Sequence, residues 1–330
     1  MSVAVVILNY NGRKFLTEFL PIVLENTQDA AIYVADNGSS DDSLALLASD
    51  FPSVNVLSWD KNLGYAGGYN YALGQIKADY FVLMNSDIAP RKNWLTPLVA
   101  YFEANPLVAA AQPFLLDYQK PEYFEYAGAA GGFWDAYGYP FCRGRLFDTL
   151  EKNEGQYKTS IVNWATGACL MVRASVFHAV GGLDDYLFAH MEEIDLCWRM
   201  QRAGYNIAAV AESEVLHVGG GTLNKENPFK TYLNFRNNLI LLYKNLEPSK
   251  RFTTLFIRMI LDGIAGIKFL TEGKIGSFVA ILKAHYGFYR YLLFEPKAPA
   301  IQSNWIKSYT GNILVDYFLR GKKKFDQIKF

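Results

Sequence analysis

Tyr80-Phe81-Val82-Leu83-Met84-Asn85-Ser86-Asp87 is an apolar run that ends in acid. Such a run reads as a buried strand whose end projects a carboxylate at the C-terminal edge of a sheet, where open α/β sheets place their ligands. Taken alone, Asn-Ser-Asp is as readily a turn before Pro90. Its company gives it weight: Asp36 closes an earlier strand-like stretch, Glu192-Glu193-Ile194-Asp195 forms an acidic cluster, and His217 follows another strand-like stretch. Working outward, strand patterns at Val3 to Leu8, Ile32 to Asp36 and Asn55 to Ser58 alternate with helical patterns at Arg13 to Asn26, Asp42 to Asp50 and Tyr69 to Ile76. That alternation predicts a mostly parallel sheet with helices on both faces, an α/β class.

The chain has 330 residues, 51% of them apolar, enough for a large core. Thirty-two basic residues balance thirty-two acidic ones, which argues against a nucleic-acid partner held by bulk charge. Cys142, Cys169 and Cys197 are odd in number and far apart, as expected of reduced core thiols in a cytoplasmic protein. Met1 to Leu8 has no basic leader and reads as a first strand, not a signal peptide.

Residues 117 to 160 break the rhythm with Tyr, Phe, Gly and Pro, as in Tyr123-Phe124-Glu125-Tyr126-Ala127-Gly128, and read as packed surface loops or an acceptor-side lid. A strand at Ala168 to Arg173 and a helix from about Glu192 to Ala203 follow. Further on, the apolar stretches Phe252 to Leu270 and Phe278 to Leu293 are interrupted by charge, which argues against membrane spans. In the second, Phe278, Ile281, Leu282, His285, Phe288, Tyr289 and Leu292 share a helical face, predicting a helix that lies on a membrane or packs on protein. The basic Lys322-Lys323-Lys324 suits anionic lipid or a solvated end.

Several residues carry chemistry. Asp36, at a strand end before Asn37-Gly38-Ser39-Ser40-Asp41, can accept from a base or ribose, while Asp41 suits a helix cap. The glycine-rich Asn62-Leu63-Gly64-Tyr65-Ala66-Gly67-Gly68-Tyr69-Asn70 leads into a helix whose free N–H groups would suit phosphate. It does not match the dinucleotide fingerprint, which disfavours a nicotinamide enzyme. A nucleoside diphosphate over these strand ends needs a divalent cation, Mg²⁺ or Mn²⁺, with Asp87 as its natural ligand. Adjacent Glu192 and Glu193 can serve a helix dipole, or one can act as a base whose pKa its neighbour raises. His217 is a core histidine or a metal ligand.

In this order, the Asp36 loop, the Asn62 to Asn70 segment, Asn85-Ser86-Asp87, Gly181-Gly182-Leu183-Asp184, Glu192 to Arg199 and His217 with its glycines resemble the family 2 glycosyltransferases of GT-A fold, rhamnosyltransferase-like members most of all. The resemblance covers roughly residues 1 to 240. It implies a GT-A domain over 1–240, with a nucleotide-binding half at 1–115 and an acceptor half at 116–240, followed by a C-terminal helical region at 241–330. It also implies that Tyr10 stacks on the base, that Asp36 contacts base or ribose, and that Asp87 holds the metal with His217. Asn85 stands where the family's metal signature has its first Asp, which weakens two-carboxylate coordination. The wider donor site comprises Asn9, Asn62, Gly64, Asn70, Gly167 and Glu192, with Trp164 to Ala168 flooring the sugar and Arg236 and Asn237 reaching the phosphates or acceptor. Glu193 matches the base, and Asp195 is its rival. The implied activity is inverting transfer of a sugar from a nucleoside-diphosphate sugar to a glycan or lipid-linked acceptor in cell-surface polysaccharide synthesis. The enzyme would be cytoplasmic, at the inner face of the plasma membrane or oligomeric through its C-terminal helices. Two competing readings keep the sheet: a non-catalytic nucleotide-sugar-binding subunit, which needs no Glu193, and a sugar nucleotidyltransferase, which needs a longer basic loop than Asn11-Gly12-Arg13-Lys14.

Overall fold

A computed structural model describes residues 1–126, 128–219, 227–295 and 308–330; Ala127 and the Gly220-Gly221 that follow His217 lie outside them. In chain order the first half runs β1 (Val3–Asn9), α1 (Arg13–Asn26), β2 (Ala31–Asp36), α2 (Ser43–Asp50), β3 (Asn55–Ser58), α3 (Gly64–Leu73), β4 (Tyr80–Asn85), β5 (Ile88–Pro90), α4 (Leu95–Ala104) and β6 (Val108–Asp117). Then come β7 (Gly132–Trp134), β8 (Pro140–Cys142), β9 (Arg145–Leu146), β10 (Thr149–Leu150), β11 (Ser160–Val162), β12 (Cys169–Arg173), α5 (Ala174–Ala179), α6 (Glu192–Arg202) and β13 (Asn206–His217). Three helices follow: α7 (Pro228–Asn245), α8 (Pro248–Thr271) and α9 (Ile275–Phe294).

Among the described residues the main sheet has the order β11-β13-β6-β12-β4-β1-β2-β3, with β5 paired to β13. It is parallel through β3, β2, β1 and β4, and β12 runs antiparallel between β4 and β6. Both faces are covered, as an interior parallel sheet requires. Alternation along the strands feeds two cores: Val5, Ile7, Val82 and Met84 enter one, while Ala4, Val6, Phe81 and Leu83 enter the other. All eight side chains are buried, so trimming Leu83 to Ala would cost about 2–5 kcal/mol.

Within residues 117 to 160, Gly132 to Leu150 form a second sheet, β10-β9-β8-β7, whose core joins Phe141 and Leu146 to Tyr309, Ile313, Tyr317 and Ile328 of the C-terminal tail. Tyr309 N donates to Trp134 O and Ile313 N to Asp135 Oδ2, both at 3.0 Å, so the chain's last residues seal this sheet. Trp134 stacks on Trp198 of α6 at 4.3 Å between centroids, tying the second sheet to the helix that carries the acidic cluster. All three cysteines are buried and unpaired.

Candidate functional site

Register brings the strand ends into one row. Leu8 lies beside Asn85 and Asn9 beside Asp36, while Asn85 N donates to Ala168 O at 2.9 Å, so the 165–168 segment meets the same edge. Tyr10, just past β1, leaves its ring 43% exposed, suited to stacking on a base. The buried Asn9 donates from Nδ2 to Asp36 Oδ1 at 2.8 Å, and Asp36 Oδ2 accepts from Ser39 N. Asp36 thus already holds its own loop. Asn85 is half-buried at the edge, and Gly167 O accepts from Tyr65 Oη at 2.6 Å. A Cβ on Gly167 would stand 2.6 Å from that oxygen, which is why glycine is needed there.

The glycine-rich segment departs from expectation. The helix begins at Gly64, five residues before the expected Tyr69, and its first N–H groups are consumed internally. Gly64 N donates to Asn62 Oδ1 and Leu63 N to Asn37 Oδ1, while Tyr65 N and Ala66 N both reach Phe188 O. Nothing remains for phosphate at this helix start. Asn70 is likewise engaged, bracketing Leu183 through its N–H and C=O and donating to Asp185 Oδ1. Asn62, Gly64 and Asn70 are thus engaged within the fold, bracing the start of α3 and the Leu183 turn.

Asp87, one residue before β5, faces His217 at the end of β13, and these two strands pair antiparallel. Asp87 Oδ1 lies 3.2 Å from His217 Nε2, and Glu125 Oε2 lies 3.2 Å from His217 Nδ1. All three side chains are buried. Burial works to raise the Asp87 carboxyl, yet the His217 contact overrides it and holds the group below its usual range. Burial opposes charge on His217, but the two carboxylates push its pKa up to about 10. That environment favours the protonated imidazole. The donor chemistry also fits a divalent cation in place of that proton: Asp87 offers an oxygen and His217 offers Nε2, while Glu125 on Nδ1 fixes the ring as second-layer carboxylates do. Among the described residues no group of three or more His, Cys, Asp or Glu side chains is arranged to hold a metal ion. Sequence reading missed Glu125; its one signal is an acid inside an aromatic stretch.

Glu192 and Glu193 open α6, next to a strained turn. Phe188, His190 and Met191 all have positive φ, a conformation costing about 1–3 kcal/mol each at non-glycine residues. Asn237 of α7, fully buried, holds the turn by donating to Leu187 O, Ala189 O and His190 O at 2.7–2.9 Å. Arg236 donates to Tyr186 O and Leu187 O. These two residues brace the turn before α6. Burial raises the Glu193 pKa to about 7, with backbone N–H groups of the helix start restraining it. Burial and the Glu193 charge keep Glu192 well above its usual value. Among the described residues neither Oε2 finds a hydrogen-bond partner. Tyr65, already bonded to Gly167, is raised by burial first, then by Tyr69 and the two glutamates.

Asp195 is different. It is fully buried, pairs with Arg199 at 2.7 Å and Lys244 at 3.1 Å, and accepts from Asn245 at 2.8 Å. Burial alone would raise its pKa, but the two cations hold it below the usual range. A low-pKa carboxylate held by two cations is a poorer base than Glu193, and these contacts make Asp195 an anchor between α6 and α7.

Residues 4–181 match the family described as glycosyl transferase family 2. Over 233 residues the chain is 28% identical to the N-acetylglucosaminyl-diphospho-decaprenol L-rhamnosyltransferase of Mycobacterium tuberculosis (strain ATCC 25618 / H37Rv), covering 64% of this chain and 75% of that protein. It is 24% identical to the rhamnosyltransferase WbbL of Escherichia coli (strain K12), covering 65% of this chain and 83% of that one. Among solved structures, GalNAc-T7 with UDP, GalNAc and Mn²⁺ superposes with a TM-score of 0.57 at 16% identity, covering 74% of this chain and 48% of that one. The likeness is one of fold, GT-A, and this chain spans about half that protein's length. With the family match extending over more than half of its residues, the chain belongs to glycosyl transferase family 2.

Proposed function

We propose that this protein is an inverting glycosyltransferase that moves a sugar from a nucleoside-diphosphate sugar to a hydroxyl of a glycan or lipid-linked acceptor. The reading is carried by Glu193, half-buried at the start of α6 with its pKa raised to about 7, in a chain whose Asp87 and His217 pair at the strand ends of the main sheet. A carboxylate with that pKa is ionised often enough to accept a proton and basic enough to do so well. Glu193 takes the proton of the acceptor hydroxyl, the oxygen attacks the anomeric carbon, and the bond to the nucleoside diphosphate breaks on the opposite face. One displacement inverts configuration and needs no covalent sugar-enzyme intermediate. Tyr10 stacks on the base, Asn85 offers its amide to the ribose, and the 165–168 segment with Gly167 floors the sugar. Asp87 and His217 would hold Mg²⁺ or Mn²⁺, which neutralises charge on the leaving diphosphate when bound. The similar GalNAc-T7 structure with UDP and Mn²⁺ supports that part. The two relatives named as rhamnosyltransferases, one after a lipid-linked diphosphate sugar, support the acceptor class. Such an acceptor would bring the reaction to the inner face of the plasma membrane.

The test is calorimetric binding of a panel of nucleoside diphosphates and their sugars with Mn²⁺, Mg²⁺ or chelator, on wild type and Asp87→Ala. Tight binding of one nucleotide that requires both metal and Asp87 is expected. Binding indifferent to both, or none to any nucleotide, would sink the assignment.

A further inference from the structure

The helix α8 is built inside out. Its protein-facing side carries Thr254, Arg258, Asp262 and Gly266, all buried. Arg258 lies 3.5 Å over the Tyr139 ring and donates to Tyr137 O, and Asp262 meets His285 of α9 at 3.2 Å. Its outer side carries Phe252, Phe256, Ile260, Ile264 and Ile267, each more than half exposed. At 1.5 Å per residue that stripe runs about 22 Å. In water the hydrophobic effect gives the reverse arrangement, charged residues out and aliphatic residues in. The outer face is therefore made for an apolar phase.

The neighbouring surface continues the pattern. On α9, Leu282, Tyr286, Tyr289 and Leu293 are exposed, and Tyr289 Oη reaches Met259 of α8, bringing the two stripes together. Part of the face expected to be uniform is turned inward, with Ile281 and Phe288 buried while Leu282, Tyr289 and Leu292 face out. At the far end of α8, Lys268 Nζ lies 5.7 Å from the Phe318 ring, and Phe318 and Leu319 are both exposed. Charge identifies the occupant. Residues 247–295 hold seven basic and four acidic residues, a net charge of +3 in a chain that is neutral overall, with Arg258 the buried one of the seven, and residues 316–330 hold five basic and two acidic. No helix of the described residues is long and apolar enough to cross a membrane.

We propose that the outer face of α8 and α9, with the basic residues at its rim and in the C-terminal tail, seats this protein on an anionic lipid surface, the apolar stripe entering the acyl boundary and the basic side chains meeting headgroups. Apolar area plus basic residues is the combination that holds interfacial helices on anionic bilayers. A second copy of this chain would offer the same positive charge to itself across a two-fold interface, which opposes that occupant. The surface stands one helix away from the site, because α9 packs on α7: the Gly287 position of α9 lies 3.0–3.4 Å from Tyr232 and Arg236, next to the Asn237 brace. This inference is independent of the donor chemistry.

The experiment is flotation of the full chain with vesicles of neutral phosphatidylcholine alone and with about 30 mol % phosphatidylglycerol, at low and high salt. The protein should float with anionic vesicles, at least about tenfold less with neutral ones or in high salt. Phe256→Glu with Ile264→Glu should lower that partition about tenfold while leaving the unfolding temperature and nucleotide binding unchanged, since neither residue touches the core or the donor site. Lys283→Glu with Arg290→Glu should weaken it without removing apolar area. Failure to float with anionic vesicles, or a concentration-dependent dimer in light scattering that the Phe256 and Ile264 changes abolish, would overturn the proposal.

Discussion

Changing Glu193 to Gln should destroy turnover and strengthen the fold. Gln keeps the volume but cannot take a proton, so if Glu193 is the base, kcat should fall by about 10²–10⁴ with donor binding retained. In the wild type kcat should rise with pH through about 7, and one unit below that only about a tenth of the carboxyls are ionised, lowering kcat about tenfold. The same shift sets the stability. Unfolded, the carboxyl ionises near its ordinary 4.5; folded, it holds its proton to about 7. Between those values the folded state binds more protons than the unfolded, so stability falls as pH rises, and the full penalty is present above about pH 7. At 1.36 kcal/mol per unit the penalty is at most about 3 kcal/mol, less for a side chain partly reached by solvent. Gln escapes it. Scanning calorimetry should show the Gln variant unfolding at a higher temperature than wild type near pH 8 and at the same temperature near pH 4.5, with glycosyl transfer followed by nucleoside diphosphate release across the same range. Turnover within tenfold of wild type, or no gain in unfolding temperature near pH 8, would refute the reasoning.

Asp195→Asn should lower stability by about 3–5 kcal/mol in urea unfolding, because Arg199 and Lys244 lose their shared anion; a folded variant as inactive as Glu193→Gln would restore Asp195 as the base. Asn237→Ala takes the side-chain donor from the carbonyls of Ala189 and His190 and leaves Leu187 O to Arg236 and Ala189 N, so kcat should drop more than about tenfold while calorimetric binding of the nucleoside diphosphate holds within a few fold. Gly64→Ala puts a Cβ 2.4 Å from the Phe188 ring at a φ of +75°. It should displace the turn before α6 and lower kcat in the same assay, with a loss of unfolding temperature.

The parts of this fold that were legible share one property: their signal is local. Tyr80 to Asn85 and Asn55 to Ser58 coincide with β4 and β3 because continuous strand-forming runs are bounded by polar breaks. β6 has no such signal. Val108-Ala109-Ala110-Ala111-Gln112-Pro113 is alanine-rich and contains a proline, yet the run lies between β12 and β13, which supply the pairing its composition does not favour. In the candidate site, Asp87, Glu193 and His217 could be named because strand ends and helix starts mark them. The partners that settle their chemistry come from afar: Glu125 reaches His217 from 92 positions earlier, and Lys244 reaches Asp195 from 49 later. Asn70 looked like a ligand because an amide after glycines suits one; its engagement with Leu183 and Asp185 depends on a contact more than a hundred residues away.

The second sheet sets a timetable for synthesis. Phe141 and Leu146 leave the ribosome well before the four residues that complete their core, Tyr309, Ile313, Tyr317 and Ile328, more than 160 positions later. At about 5–20 residues per second the half-built core waits on the order of 10–40 s, its aromatic side chains uncovered. The parallel half waits less, since β1 to β4 and their helices lie within residues 1–85, although β4 still pairs with β12. Nascent chains stalled before residue 308 should therefore carry a protected N-terminal half and a protease-sensitive segment around residues 132–150. The finished tail acts as the clasp that ends a period in which a chaperone has most to hold.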